Sequence, residues 1–257
     1  MSRWKTVALA LPVPILLVAV WHVAARTGLV ANLPVPGEVA EQLLRLLGGT
    51  RVFSATLAMH VLESTARVAI GFGAACLVAI PLGVLMGRSE RLSALIDPTV
   101  SLFRPLPVTA WAPLMVVIIG IGSTSAVVLI FIAAFFPVLV NTVAGVRSTP
   151  TRLLEAAAML GTRPAGVLWR IVLPSAVPQV FAGMRIGLGI AWVVVVVGET
   201  VGVQVGLGAL ITQAWQVSRT DLIIAGMVVI GVAGFLSDVG MSRLVRASLR
   251  GRPMLGT

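Results

Sequence analysis

Apolar residues in this chain run in long blocks rather than alternating with polar ones. Six blocks stand out, at about residues 6–25, 64–86, 107–121, 125–146, 177–198 and 222–244. The first carries Pro12 and Pro14, the third is short with prolines at its start, and the fifth ends in Trp192 followed by five valines. About 20 apolar residues are needed for a helix to cross the ~30 Å hydrocarbon core of a bilayer. The pattern therefore predicts an all-α membrane protein, a single transmembrane domain over residues 1–257 with about six transmembrane helices.

Composition agrees and narrows the chemistry. The chain is 58% hydrophobic and 11% charged, with a mean hydropathy of +1.05, where a soluble domain is about a quarter charged. Cys76 is the only cysteine, and His22 and His60 are the only histidines, so neither a disulfide framework nor a clustered metal site is expected, and no cofactor is implied. The only lysine, Lys5, lacks the upstream glycines of a phosphate-binding loop. No nucleophile–base pair is visible. The chain reads as a non-enzyme; if ATP drives it, another polypeptide binds the ATP.

The net charge of +10 changes the picture through its placement. Arg3, Lys5, Arg88, Arg91, Arg104, Arg147, Arg152, Arg163, Arg170, Arg243, Arg246, Arg250 and Arg252 fall on one set of connections, 13 of the 19 basic residues. Arg26, Arg45, Arg51 and Arg219 fall on the other. This dispersal at block ends is that of membrane loops, not of a nucleic-acid surface. By the positive-inside rule both termini are expected in the cytoplasm. The first block resembles a signal peptide, but its length and Trp21-His22, where small residues are wanted, favour an uncleaved first helix. Small residues at four-residue spacing (Gly83 and Gly87; Gly183, Gly187 and Ala191; Gly198, Gly202 and Gly206) predict close helix packing, either within the bundle or against a second copy.

One connection differs from the rest, the loop over residues 148–174. Thr149-Pro150 suits a helix start, with Thr149 as cap and the proline at the first helical position. Gly161 after Met159-Leu160 suits a left-handed C-terminal cap. Pro164 opens a second short helix, which Pro174 is expected to stop. The first helix is too short to span and, with Leu153, Leu154, Met159 and Leu160, too apolar to stay free in water. An amphipathic helix lying on the membrane surface is the competing reading.

The spacing Glu155-Ala156-Ala157, Gly161, Ile171 and Leu173-Pro174 resembles the EAA motif of bacterial ABC importer permeases. Further segments resemble the nitrate, sulfonate, taurine and bicarbonate branch of that family. They are Arg67-Val68 with Gly71-Phe72, Ile80-Pro81-Leu82-Gly83, Arg104-Pro105-Leu106-Pro107 with Ala110-Trp111 and Pro113-Leu114, Phe135-Phe136-Pro137 with Asn141-Thr142, and Gly206-Leu207-Gly208 with Leu210-Ile211. Gly198-Glu199 stands where the branch commonly has Ala-Glu. The resemblance implies a type I ABC importer permease fold in the bacterial inner membrane, working as two copies. Its cytoplasmic coupling helix, built on Glu155, Ala156, Ala157, Gly161, Ile171, Leu173 and Pro174, would enter a groove of a dimeric ATP-binding subunit. A periplasmic or lipid-anchored solute-binding protein would deliver a small anion such as an aliphatic sulfonate, taurine or nitrate. Some relatives carry heterocyclic thiamine precursors, and a stand-alone secondary transporter is the rival class, although neither intramembrane carboxylates nor an inverted repeat speaks for it.

Ionisable residues within the blocks are functional suspects. Glu63 and Arg67, four apart, are expected to pair. Arg185, about two turns into its block and without an acidic neighbour in helical reach, is expected either to snorkel to the interface or to draw an anion into the pathway. Glu199 and Asp221 are expected to flank the last outer loop, and Asp238 to pair with Arg243. The Gly-rich segment 198–216 reads as containing a short re-entrant helix over Leu207–Trp215, with Gln204, Gln213 and Trp215 bordering an outer gate.

Overall fold

The computed structural model describes residues 12–249, so Arg3, Lys5, Arg250, Arg252 and the start of the first apolar block lie outside the described residues. Among the described residues the elements are helices, with one hairpin of two two-residue strands. The elements are α1 (Pro12–Arg26), α2 (Pro36–Leu47), β1 (Arg51–Val52), β2 (Ala55–Thr56), α3 (Leu57–Arg88), α4 (Glu90–Phe103), α5 (Val108–Ile119), α6 (Ser123–Arg147), α7 (Thr151–Met159), α8 (Pro164–Val167), α9 (Leu173–Glu199), α10 (Leu207–Gln216) and α11 (Thr220–Leu249). Among the described residues α3, α6, α9 with the turns leading into it, and α11 are long and apolar enough to cross a membrane. The stretch expected at 107–121 forms only the 12-residue α5, about 18 Å long at 1.5 Å per residue. It follows α4, which lies outside the six apolar blocks, across a 95° bend. Pro105 and Pro107 stand in that bend, and a proline disfavours the helical conformation of the residue before it.

Contacts divide the chain into two compact units, residues 1–62 with 204–231 and residues 63–203 with 232–257. In the first, α2 begins with Pro36 at its first turn, and the Val35 amide donates to the Glu38 carboxylate at 3.1 Å, a local start signal. Trp21 Nε1 donates to the Pro34 carbonyl at 3.0 Å and ties α1 to that turn. Arg51 pairs with Thr56 and Val52 with Ala55 across the hairpin. These elements fall in a stretch that the sequence reading assigned only to loop. They are short, and α2 alternates apolar with charged residues, so no long block marks them.

In the second unit α6 is the central element. Ala126, Ile130, Ala134, Val138 and Leu139 are fully buried. The four-residue glycine spacing is used here, within the bundle. A Cβ on Gly83 or Gly87 of α3 would stand 2.7 Å from Thr142 or 2.6 Å from Val146 of α6. On α9, one on Gly183 would stand 2.6 Å from Asn141 Cβ, and one on Gly187 3.2 Å from the Ala134 carbonyl. Backbones this close gain dispersion contacts that no hydrophobic force supplies between helices in lipid.

Candidate functional site

The connection between α6 and α9 is built from a buried anchor and an exposed face. Val146, Val172 and Ala176 form a buried cluster on which Leu154, Val167 and Leu168 pack. With Ala157, 3% exposed, Leu154 fixes one side of α7 to the bundle. The other side stays open: Glu155, Ala156 and Ala158 are exposed, as are Met159 at 88% and Leu160 at 83%. Trp169 follows at 70%. Apolar side chains this exposed need lipid or a partner to cover them.

The end of α7 closes as the sequence indicates. Gly161 has φ of 65°, its amide donates to the Ala158 carbonyl, and the Thr162 amide donates to the Ala157 carbonyl, both at 3.0 Å. This is a Schellman closure, whose left-handed residue is normally glycine. Space around it does not demand glycine, since a Cβ there meets nothing within 4 Å; the backbone conformation does.

Two local expectations are corrected. Thr149 does not cap α7: its hydroxyl donates to the Val146 carbonyl at 2.8 Å, closing α6, and Pro150 stands at the cap position. Pro174 does not stop the second helix either. Residues Leu168–Val172 form a π-turn in which the Leu173 amide reaches the Leu168 carbonyl, and α9 runs on through Pro174. The wider turn makes room for a ring that would otherwise crowd the carbonyl four residues back. Ser175 Oγ donates to the Ile171 carbonyl at 2.7 Å. Ile171, Leu173 and Pro174 are half-buried and belong to the junction between the turn and α9.

The ionisable residues pair differently from the sequence reading. Arg67 meets Glu63 at 3.0 Å as expected, but it also meets Glu199 at 2.7 Å and donates from Nε to Ser123 Oγ at 3.1 Å. Ser64 Oγ donates to the Glu199 carboxylate at 2.7 Å. Glu199 is 1% exposed and ends α9, beside the last outer loop as expected, but as a buried counter-ion. Arg185 does have an acidic partner, on another helix: its Nε and Nη2 donate to Asp238 Oδ1 and Oδ2 at 2.7 and 2.8 Å. Asp238 is thereby taken from Arg243. Arg185 also lies further into its helix than expected, because α9 begins at Leu173. A partner on a separate helix leaves no trace in sequence spacing.

The remaining predicted residues lie in the first unit. The Gln204 carbonyl accepts from Gln213 Nε2 and from Ser54 Oγ, both at 3.1 Å, while Trp215 is 71% exposed. Helix α10 covers the predicted Leu207–Trp215. His60 is fully buried, with Nδ1 2.8 Å from the Gly206 carbonyl oxygen and 3.0 Å from its amide nitrogen. Arg219 and Asp221 form a two-point ion pair, and the bond to Asp221 raises the Arg219 guanidinium above its ordinary value. No group of three or more metal-ligating side chains occurs among the described residues.

Residues 79–251 match a family described as the inner membrane component of binding-protein-dependent transport systems. The taurine transport system permease protein TauC of Escherichia coli is 38% identical over 95% of this chain and 90% of its own. The nitrate import permease protein NrtB of Synechocystis is 33% identical, covering 91% and 86%. The putative aliphatic sulfonates transport permease protein SsuC of Bacillus subtilis is also 33% identical, covering 93% and 86%. Among solved structures, the inward-facing MetNI methionine ABC transporter matches with a TM-score of 0.65 at 23% identity, over 74% of this chain and 95% of that one. That likeness is one of fold.

Proposed function

The chain belongs to the inner-membrane component family of binding-protein-dependent transport systems, and from that membership we propose that it imports a small oxyanion, an aliphatic sulfonate, taurine or nitrate, driven by ATP hydrolysed on a separate subunit. The multi-pass permease has the type I ABC importer fold. Two copies form the pathway as a single transmembrane domain each, both termini lie in the cytoplasm, and a solute-binding protein delivers the solute from outside. The relatives named for taurine, nitrate and aliphatic sulfonates support the substrate class.

The observation that carries the coupling assignment is the two-sided build of α7. Leu154 and Ala157 hold it to the bundle, while Glu155, Ala156, Met159 and Leu160 are exposed together. A helix lying on the membrane surface would bury its apolar side in lipid and leave charge outward; here the exposed face mixes Glu155 with large apolar side chains, as a protein groove requires. Small side chains at Ala156 and Ala158 permit close approach, and the Glu155 carboxylate offers a charged bond to a groove arginine. The rigid Schellman turn at Gly161 passes movement of α7 to α8 and, through Ile171, Leu173 and Pro174, to α9. Gln204, Gln213 and Trp215 border the outer gate. The test is Glu155→Ala: uptake of taurine or nitrate by membranes holding all subunits is lost while the permease inserts at normal level. Full uptake by this variant rejects the assignment.

A further inference from the structure

We propose that Arg185 is the oxyanion-recognising cation of the translocation pathway, held ready by Asp238; the existence of the pathway rests on the importer reading above.

Depth is the first argument. Within the apolar blocks 177–198 and 222–244, Arg185 lies eight residues and Asp238 six residues in from the cytoplasmic end. At 1.5 Å per residue that is about 12 and 9 Å into the ~30 Å hydrocarbon core. Snorkelling does not relieve this pair, because the two-point bond at 2.7 and 2.8 Å holds the guanidinium in place.

Exposure is the second. The side chains are 50% and 42% exposed, whereas the buried pair Arg67 and Glu199 is 7% and 0% exposed. The bond to Asp238 uses Nε and Nη2, so the two N–H groups of Nη1 stay outside it on a half-exposed side chain. Hydrocarbon offers those donors no acceptor, and donors left unmet there cost several kcal/mol each. The face must therefore meet water or a polar solute.

Its surroundings are the third argument. Ala182 and Gly189 lie one turn to either side of Arg185, and a Cβ at Gly189 meets nothing within 4 Å. Ser242 lies one turn on from Asp238. These small side chains leave the guanidinium uncovered along α9. A guanidinium fork matches two oxygens of a sulfonate, nitrate or carboxylate. With Asp238 in place the site is neutral and does not trap solute; an arriving oxyanion takes the open edge and then competes with Asp238 for the fork.

The experiment reads water access and charge directly, without uptake. Cys76→Ala removes the native thiol, and Gly189→Cys introduces one beside Arg185. The permease, assembled with its ATP-binding subunit in proteoliposomes, is treated with a methanethiosulfonate carrying a sulfonate or one carrying a trimethylammonium group. Both reagents are expected to react, the sulfonate faster. Adding Arg185→Gln lowers the sulfonate-to-ammonium rate ratio about tenfold, the scale of one charge at side-chain distance in a partly wet site, and Asp238→Asn raises it. Two results overturn the proposal. In one, the thiol reacts with a membrane-permeant maleimide but with neither charged reagent, which makes the face lipid-covered or dry against a second copy. In the other, the ratio is unmoved by Arg185→Gln. Neither outcome touches the coupling assignment, which is tested by ATP-driven uptake.

Discussion

Met159→Ala with Leu160→Ala isolates the exposed face of α7 from everything that holds the fold. Both side chains are more than four-fifths exposed in the chain alone, so truncating them opens no cavity, and stability is expected to stay within ~0.5 kcal/mol of the parent. If the pair enters a groove of the ATP-binding subunit, each truncation withdraws about three methylene-sized groups. At ~0.8 kcal/mol per buried CH2 the upper value for the pair is about 5 kcal/mol. Half-complete burial gives about 2.5 kcal/mol, or about sixtyfold in Kd at 1.4 kcal/mol per decade. The assay is titration of the purified ATP-binding subunit onto the permease in nanodiscs, with thermal unfolding followed in parallel. Leu77→Ala on α3, exposed at 77%, serves as the control for a generic loss of apolar surface. Equal affinity for parent and double variant, at unchanged stability, would refute the claim that this face docks.

Three further outcomes follow from local geometry. Gly161→Ala costs about 1–2 kcal/mol from its left-handed backbone and partly reduces uptake, while Gly161→Pro, which also deletes the amide bonded to Ala158, abolishes it; ATP-driven uptake beside membrane yield separates the two. Arg67→Leu leaves the Glu199 carboxylate buried without its cation and is expected to cost about 3–5 kcal/mol, read as a lowered melting temperature in detergent, whereas Glu41→Ala, whose pair with Arg45 is exposed, leaves it unchanged. Gly183→Val drives a side chain into Asn141 and destabilises by about 1–3 kcal/mol or more, while Gly189→Ala enters open space and is tolerated, as monodispersity after heating will report.

The membrane class, the long helices and the cap at Gly161 were legible because each rests on local rules: apolar run length, and a residue that tolerates positive φ. The motif from Glu155 to Pro174 was legible as a resemblance. What stayed hidden is tertiary. Asp238 and Arg185 are 53 positions apart, and Glu199 and Arg67 132, so the sequence offers Asp238 only the nearby Arg243 and gives Glu199 no cation. Pro174 was read as a stop because local chemistry does not reveal a π-turn that absorbs its ring. Helices α2 and α4 went unread because their apolar and charged residues are interleaved and neither forms a long block.

Reconstitution with and without the ATP-binding subunit tests the central claim most directly. The permease, its solute-binding protein and the ATP-binding subunit are assembled in proteoliposomes, and uptake of labelled taurine, an alkanesulfonate and nitrate is followed. The account predicts that at least one of these solutes accumulates only when ATP and the ATP-binding subunit are both present, and that Glu155→Ala removes the accumulation. Uptake by the permease alone, driven by an ion gradient and indifferent to Glu155→Ala, would contradict it.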